Sequence, residues 1–317
     1  MSTESQHAFE LCRENLLRAP GMIEESERRL LFKAAYSCTD LPVVEFGTFF
    51  GASALALASG LASKGLNPNQ VICIDAFKVS KDHGLYRHVI SFAQSYNATG
   101  LLLQDDREVN WLKITQAVLG EHLERTRLIS GIVNHDFNMN FLPEIIGLLH
   151  LDLPKDARTI EPILKSVFPK LATNSIIAFQ DYAYQFSNEL IAYFELLEQN
   201  GHVKTIAIAA STVFYRVKSQ NPASIDWASL LLNSLKNQTN LITRAIKRYE
   251  ENKSHRSTEL VALRAAAIRS EAANKSSVRL DKQIFIQRYI QEMIRINLSH
   301  SSLVLAELFT EELVEHF

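Results

Sequence analysis

The chain has few of the residues and runs that mark several common classes of protein. It has three cysteines among 317 residues, and no two of them form a C-x-x-C pair, so we expect buried thiols rather than a redox or metal site. It shows no run of about eighteen apolar residues, as a membrane span would need. Its first residues lack the basic region and apolar core of a secretory leader. We therefore expect a soluble, cytoplasmic protein.

An excess of charge of one sign is also lacking. The sequence has 33 Lys and Arg against 35 Asp and Glu, and its formal net charge is −2. Proteins that bind polyanions usually carry a basic patch or block, and the sequence shows no dense block of Lys and Arg. We therefore expect neither nucleic acid nor a membrane as a partner. The 47% of hydrophobic residues are typical of a globular protein with a full core.

Hydrophobic patterning predicts three parts: 1–40 as a helical lead-in, 41–219 as the main domain and 220–317 as a helical extension. The lead-in helices are expected at 5–18 and 23–38. Strands of the main domain are expected at 42–46, 71–74, 127–133, 145–151 and 175–179, with helices at 52–64, 157–171 and 188–199 and a hairpin at 203–217. Alternating strands and helices predict an α/β fold with a doubly wound, mostly parallel sheet.

The most informative stretch is Val43 to Ala56, where an apolar strand runs into two glycines and an alanine-rich helix start. Its acid, glycines and serine have the spacing E-x-G-x-x-x-G-x-S, and the next apolar strand ends on Asp75. The stretch matches neither the G-x-G-x-x-G of dinucleotide sites nor a P-loop. Free N–H groups at a helix start can bind a small anion, and an Asp carboxylate can accept two hydrogen bonds from a diol. An adenosine that carries an amino acid meets both demands.

These residues also have structural interpretations that the sequence leaves open. Gly47 and Gly51 could serve only to allow a tight turn between strand and helix. Glu45 could be a strand-end acid held by a neighbouring amide, and Asp75 could cap the segment that follows it. Occurring together in this order and spacing, the four residues favour a cofactor site.

With this motif the chain resembles the class I S-adenosylmethionine-dependent methyltransferases over about residues 20–217. It is similar to the small-molecule O-methyltransferases of the macrocin and novobiocin types, whose lead-in helix carries G-x-x-x-x-x-E, here Gly21 to Glu27. The resemblance implies a Rossmann-like sheet of seven strands that ends in an antiparallel hairpin, with S-adenosylmethionine as cofactor. It implies methionine-side contacts from Glu45, Gly47, Gly51 and Ser53, a ribose contact from Asp75, and adenine contacts from Ala76, Phe77, Ser130 and Gly131.

Candidate catalytic residues are Asp152, Lys155 and Asp181. The two acids follow the fourth and fifth predicted strands, which we expect to be neighbours with their carboxyl ends at the cofactor edge. Metal-dependent relatives bind Mg²⁺ with acids at these two strand ends, so the resemblance implies Mg²⁺ at Asp152 and Asp181. However, Gln180 and Tyr182 replace the usual second acid, and Lys155 stands where D-G-D-H places a histidine.

Histidines 83, 88, 135 and 150 are other candidate bases, since histidine titrates near neutral pH. For His150, within an apolar strand, we expect a place in the core. The long segment 77–126 is either an acceptor-binding lid or a structural insertion of extra helices.

The sequence thus predicts a methyltransferase, an enzyme of small-molecule biosynthesis that methylates an oxygen of a sugar or other natural-product hydroxyl. The rival hypothesis is a binding or scaffold protein of the same fold that has lost turnover and works through its helical C-terminal region. A nicotinamide-dependent oxidoreductase is disfavoured by the glycine spacing. The C-terminal helices are expected either to cover the active site or to form a homodimer.

Overall fold

The computed structural model describes residues 3–38, 41–65, 71–134, 136–153, 157–184, 187–218, 225–251 and 257–274. The α-helices are α1 (Thr3–Arg18), α2 (Glu25–Ser37), α3 (Ala52–Ala62), α4 (Leu85–Ser95), α5 (Leu112–Leu119), α6 (Ala157–Val167), α7 (Asn188–Gln199), α8 (Trp227–Lys236), α9 (Gln238–Glu251) and α10 (Ser257–Asn274). The strands are β1 (Val43–Phe46), β2 (Val71–Asp75), β3 (Lys78–Ser80), β4 (Leu103–Gln104), β5 (Glu108–Asn110), β6 (Thr126–Ser130), β7 (Ile146–Leu151), β8 (Leu171–Phe179), β9 (Val203–Ala209) and β10 (Thr212–Val217). Short 3-10 helices lie at Thr99–Leu101, Gly120–Arg125 and Phe168–Lys170.

Seven strands form one mixed sheet in the order β6-β2-β1-β7-β8-β10-β9. Pairing is parallel from β6 through β2, β1 and β7 to β8. Two residues join β9 to β10, a connection that only antiparallel strands allow. The predicted Rossmann-like sheet with its terminal hairpin is therefore confirmed.

The central strands are apolar because both of their faces are covered. Every residue of β1, β2 and β7 is buried, which is the reason that these strands are nearly continuous apolar runs, with Glu45, Asp75 and His150 as their buried polar residues. Helix α3 follows β1 and is buried from Ala52 to Leu61. The carboxyl ends of these strands are therefore fixed by a well-packed core.

The chain divides into two compact units. The first comprises Met1–Pro154, Arg158–Gln180 and Phe214–Ala223, and the second comprises Lys155–Ala157, Asp181–Val213 and Ser224–Phe317. The division of the chain at residues 40 and 219 stays a prediction. No helix among the described residues is long and apolar enough to span a membrane.

In the first unit, the segment that follows β2 is a compact insertion. Strands β3, β5 and β4 form a small antiparallel sheet, which the sequence did not predict because its strands have only two or three residues. With α4 and α5 the insertion contains a hydrophobic cluster of its own, which also includes Phe50 and Phe77. This packing is that of a structural insertion, and a role as an acceptor lid stays a prediction.

In the second unit, the first helices of the C-terminal region have a buried apolar stripe. Leu241, Ile242, Ala245 and Tyr249 of α9 are all buried, and α9 packs against both α7 and α10. The apolar stripe of α9 is therefore covered by helices of the same unit. The part of the predicted helical extension after residue 274 lies outside the described residues.

Candidate functional site

The turn between β1 and α3 requires glycine at two positions. Gly47 has φ +89° and Gly51 has φ +95°, a left-handed region that side chains disfavour. Gly47 also touches the backbone after β7, since a β-carbon built on it would lie 1.8 Å from the carbonyl oxygen of Asp152. The turn and the Asp152 strand end are therefore neighbours at the carboxyl edge of the sheet.

The backbone of this turn is held by hydrogen bonds from two sides. Phe49, a non-glycine residue with φ +46°, donates its N–H to Asp75 Oδ2 at 2.9 Å. Its carbonyl accepts the hydroxyl of Thr115, on α5, at 2.7 Å. The Phe49 ring stacks on Phe50 at 4.2 Å and lies 5.7 Å from the ring of Trp111. The insertion thus stabilises the conformation of the glycine turn.

Asp75 ends β2, and its carboxylate accepts hydrogen bonds from backbone N–H groups of the glycine turn and of the segment that follows β2. It accepts hydrogen bonds from the N–H groups of Thr48 and Phe49, both at 2.9 Å, and of Phe77 at 2.7 Å. Burial raises the pKa of Asp75 above its usual value, while these three amides act in the opposite direction. The hydrogen bond from Phe77 is a contact with the segment that follows β2, as the structural interpretation of Asp75 describes. A carboxylate has about four acceptor positions, so a further donor can still be bound.

The start of α3 supplies donors for an anion. By helix geometry, the N–H groups of Ala52, Ser53 and Ala54 lack acceptors within the helix, and they carry the positive end of its dipole. The Ser53 side chain is buried. A β-carbon on Gly21 would lie 2.4 Å from Cβ of Ala52, so the loop between α1 and α2 packs directly on this helix start.

These features fit the adenosyl amino acid that the sequence motif implies. The helix start can hold a carboxylate, Asp75 retains capacity for a ribose hydroxyl, and the two glycines allow a ligand close to the backbone. The methionine-side contacts and the ribose contact named from the sequence stay predictions, but the structure brings Gly47, Gly51, Ser53 and Asp75 together in unit one.

The candidate adenine residues lie next to Asp75. Ser130, at the end of β6, donates its hydroxyl to the Ala76 carbonyl at 3.1 Å, and Gly131 donates its N–H to the Asp75 carbonyl at 2.9 Å. Phe77, with φ +52°, is fully buried in the hydrophobic cluster of the insertion. In this conformation its ring belongs to the core, whereas Ala76 and Ser130 remain accessible.

Glu45 is placed differently from the other motif residues. Its side chain is fully buried, and its Oε1 lies 2.9 Å from Nδ1 of His150, which is also fully buried. The two residues are register partners on β1 and β7. The expected core position of His150 is confirmed, and Glu45 is held by this histidine rather than by an amide. Its contact with a cofactor stays a prediction.

The two acids at the strand ends are placed in different units. Asp152 follows β7 in the first unit and donates its N–H to the Phe46 carbonyl at 2.7 Å. Asp181 belongs to the second unit and lies two residues after β8, with φ +52°. Strands β7 and β8 pair in parallel, as predicted. Lys155 and the histidine at 135 lie outside the described residues.

The magnesium implied by the resemblance gains no support. Among the described residues no group of three or more His, Cys, Asp or Glu side chains is arranged to hold a metal ion. Asp181 accepts a hydrogen bond from the Ser211 hydroxyl at 3.4 Å, which orients it within its own unit. A metal role for Asp152 and Asp181 is therefore a hypothesis from the sequence alone.

Comparison with known proteins agrees with the motif. Residues 44–182 match the family model described as a methyltransferase domain, and no curated protein sequence matches the chain significantly. Many solved structures are similar to it, and three serve as examples. The O-methyltransferase NovP is 14% identical, with 63% of this chain and 83% of NovP covered at a TM-score of 0.45. CalS11, a TDP-rhamnose 3'-O-methyltransferase of calicheamicin biosynthesis, is 16% identical, with 68% of this chain and 95% of CalS11 covered at a TM-score of 0.39. TomG from Streptomyces achromogenes, an O-methyltransferase in complex with S-adenosylmethionine, is 13% identical, with 69% of this chain and 91% of TomG covered at a TM-score of 0.40.

Because these TM-scores lie below 0.5, the three likenesses establish nothing about the acceptor of this chain. The family match begins at Val44, on β1, and spans the glycine turn, Asp75 and both acidic strand ends. The sheet order and the pairing of β1, β2 and β7 agree with it. Residues 44–182 are therefore similar to a methyltransferase domain in sequence, and their strand order agrees with that likeness.

Proposed function

We propose that the protein transfers the methyl group of S-adenosylmethionine to a hydroxyl oxygen of a small-molecule acceptor, such as a sugar or another natural-product-like alcohol. One observation carries the proposal. The glycine turn, which would hold the methyl donor, lies in van der Waals contact with the Asp152 backbone. An acidic residue therefore lies directly beside the proposed cofactor site. Such an arrangement suits an acceptor group that must lose a proton as it is methylated.

The residues of the first unit would hold the cofactor. The start of α3 with Ser53 binds the carboxylate, and Asp75 binds the ribose. The cofactor supplies an electrophilic methyl group on its sulfonium sulfur. Because such a transfer is a direct displacement, the protein's main contribution is alignment of the acceptor oxygen with that methyl group.

Proton removal would be the task of a carboxylate or of Lys155. Asp152 follows β7 at the carboxyl edge of the sheet, where open α/β sheets bind their substrates. Asp181 is a second candidate, oriented by Ser211. A general base of this kind contributes roughly 10²–10⁴-fold to a rate, so loss of the correct acid would be clearly measurable.

The test is methyl transfer from labelled S-adenosylmethionine to a panel of sugars and phenolic or alicyclic alcohols. We expect labelled product with at least one hydroxyl acceptor, and a fall of about 10²-fold or more in kcat for Asp152→Asn or Asp181→Asn. The matched control is Asp106→Asn, since Asp106 is exposed in the insertion. Tight cofactor binding without product from any acceptor or host extract would contradict the proposal and favour the scaffold hypothesis.

A further inference from the structure

The Asp181 turn, residues 181–184, adopts a conformation that its own sequence does not favour. Asp181 has φ +52° although it is not glycine, and such a residue persists only where its surroundings fix it. Its carbonyl accepts the Ser187 hydroxyl at 2.9 Å. Its Oδ1 accepts the Ser211 hydroxyl at 3.4 Å, and the Ala183 N–H donates to the Ser211 carbonyl at 3.3 Å. The turn is therefore bound to the loop between β9 and β10.

A buried carboxylate is hydrogen-bonded to the second residue of the same turn. Glu195, on α7, is fully buried and accepts the hydroxyl of Tyr182, the residue that follows Asp181. Arg248 of α9 binds both oxygens of Glu195, at 2.5 and 2.9 Å, and also binds Glu198. A carboxylate removed from water requires such paired donors. Helix α9 thus supplies the charge that allows Glu195 to hold Tyr182.

The next residue of α9, Tyr249, contacts both the Asp181 turn and the loop between β9 and β10. Tyr249 is fully buried, and its ring stacks on Tyr182 at 6.2 Å with an interplanar angle of 5°. Its hydroxyl donates to the carbonyl of Ala210 at 3.3 Å, the residue before Ser211. The ring of Tyr249 therefore packs on Tyr182, which follows Asp181, and its hydroxyl binds the loop that carries Ser211, the hydrogen-bond donor of Asp181.

These contacts form a connected series within the second unit, from α9 to the side chain of the candidate base. We infer that helix α9 positions Asp181 for catalysis, with Arg248 and Tyr249 as its positioning residues. The inference rests on the proposed function for the meaning of Asp181. It gives the C-terminal helices a role inside the enzyme that neither a dimer interface nor a lid describes.

A merely stabilising role predicts a different result from a positioning role. If the series only stabilised the unit, weakening it would lower the melting temperature and leave turnover by the folded enzyme unchanged. If it positions Asp181, a small change in the series lowers kcat while cofactor affinity stays the same, because none of the altered side chains belongs to the cofactor turn. A misplacement of about 1 Å can cost up to 10²-fold in rate.

The test compares two mild variants with a matched control. Tyr249→Phe removes only the hydroxyl that binds Ala210, and Arg248→Lys keeps the charge but loses the paired hydrogen bonds. The control is Lys247→Met, since Lys247 is exposed on the same helix and pairs only loosely with Glu251, at 3.9 Å. For each protein we would measure kcat, KM for the acceptor, S-adenosylmethionine affinity, melting temperature and amide hydrogen exchange over residues 180–187.

We expect Tyr249→Phe and Arg248→Lys to lower kcat by about tenfold or more, to speed exchange in the Asp181 turn and to leave cofactor affinity unchanged, with no such effects in the control. Lower melting temperature with unchanged kcat and exchange would overturn the inference. If the wild-type protein shows no turnover, the proposed function fails, whereas exchange still tests the structural part. If amide exchange in the Asp181 turn is then the same in both variants as in the control, the inference that α9 positions this turn is overturned.

Discussion

Replacement of Gly47 by alanine tests the geometry of the cofactor turn. At φ +89° a residue with a β-carbon costs about 1–2 kcal/mol more than glycine. The added carbon would also lie 1.8 Å from the Asp152 carbonyl oxygen, so β1 and the segment after β7 must move apart. Overpacking of this kind costs about 1–3 kcal/mol. We expect Gly47→Ala to lose about 2–5 kcal/mol of unfolding free energy in all.

A second glycine separates these two contributions. Gly65 has a similar conformation, φ +75°, but a β-carbon there would meet no atom of the described residues within 4 Å. Gly65→Ala should therefore lose only the backbone contribution, about 1–2 kcal/mol. Equilibrium urea unfolding of both variants measures the difference.

The same variants should also differ in cofactor binding. We expect Gly47→Ala to weaken S-adenosylmethionine binding, because the turn and the strand beside it shift together, and Gly65→Ala to bind as the wild type does. Equal unfolding free energies and equal affinities for the two variants would refute the packing of Gly47 against Asp152.

Three further changes test other contacts. Thr115→Val removes the hydrogen bond to the Phe49 carbonyl, which should cost about 1 kcal/mol and weaken cofactor binding in a calorimetric titration, whereas Thr115→Ser should preserve both. His150→Leu leaves the buried Glu45 carboxyl without its hydrogen bond to His150 and should lower the unfolding free energy by about 1–3 kcal/mol. The control, His88→Leu at an exposed position, should leave the unfolding free energy unchanged. Two arginines lower the pKa of Glu25 to about 2 from 4.5, so its contribution to stability is present above pH 4.5 and is lost as the pH falls towards 2.

Each of these predictions has an outcome that contradicts it. Thr115→Val and Thr115→Ser with the same affinity would show that the hydroxyl does not hold the turn. A His150→Leu protein as stable as the wild type would remove the argument for a buried pair. For Glu25, the stability difference between the wild type and Glu25→Gln should shrink from pH 4.5 to pH 2. A difference that stays constant over this range would contradict the ion pairs.

Much of the fold could be predicted because its elements have strong local patterns. Helix α7 has the predicted bounds, 188–199, and the central strands are apolar runs as buried parallel strands must be. The strand expected at 127–133 ends instead at Ser130, where Gly131 turns its N–H to the Asp75 carbonyl. Ends that depend on long-range hydrogen bonds leave no periodic signal.

The site could be predicted only in part, for the same reason. Local spacing points to the glycines, Ser53 and Asp75 as cofactor residues, since each belongs to a strand end or helix start, and these contacts stay predictions. The partners of these residues come from distant parts of the chain: His150 for Glu45, Thr115 for Phe49. The series from Arg248 to Asp181 joins residues more than sixty positions apart. Only the packed structure brings such pairs together.

The most direct test of the central claim is a calorimetric titration of the purified protein with S-adenosylmethionine, S-adenosylhomocysteine and NAD, repeated with Asp75→Ala. We predict saturable binding of both adenosyl-sulfur compounds, no binding of NAD, and an affinity at least about tenfold weaker for Asp75→Ala, equivalent to about 1.4 kcal/mol. Binding of NAD without binding of either adenosyl-sulfur compound would contradict the methyltransferase assignment of the glycine turn.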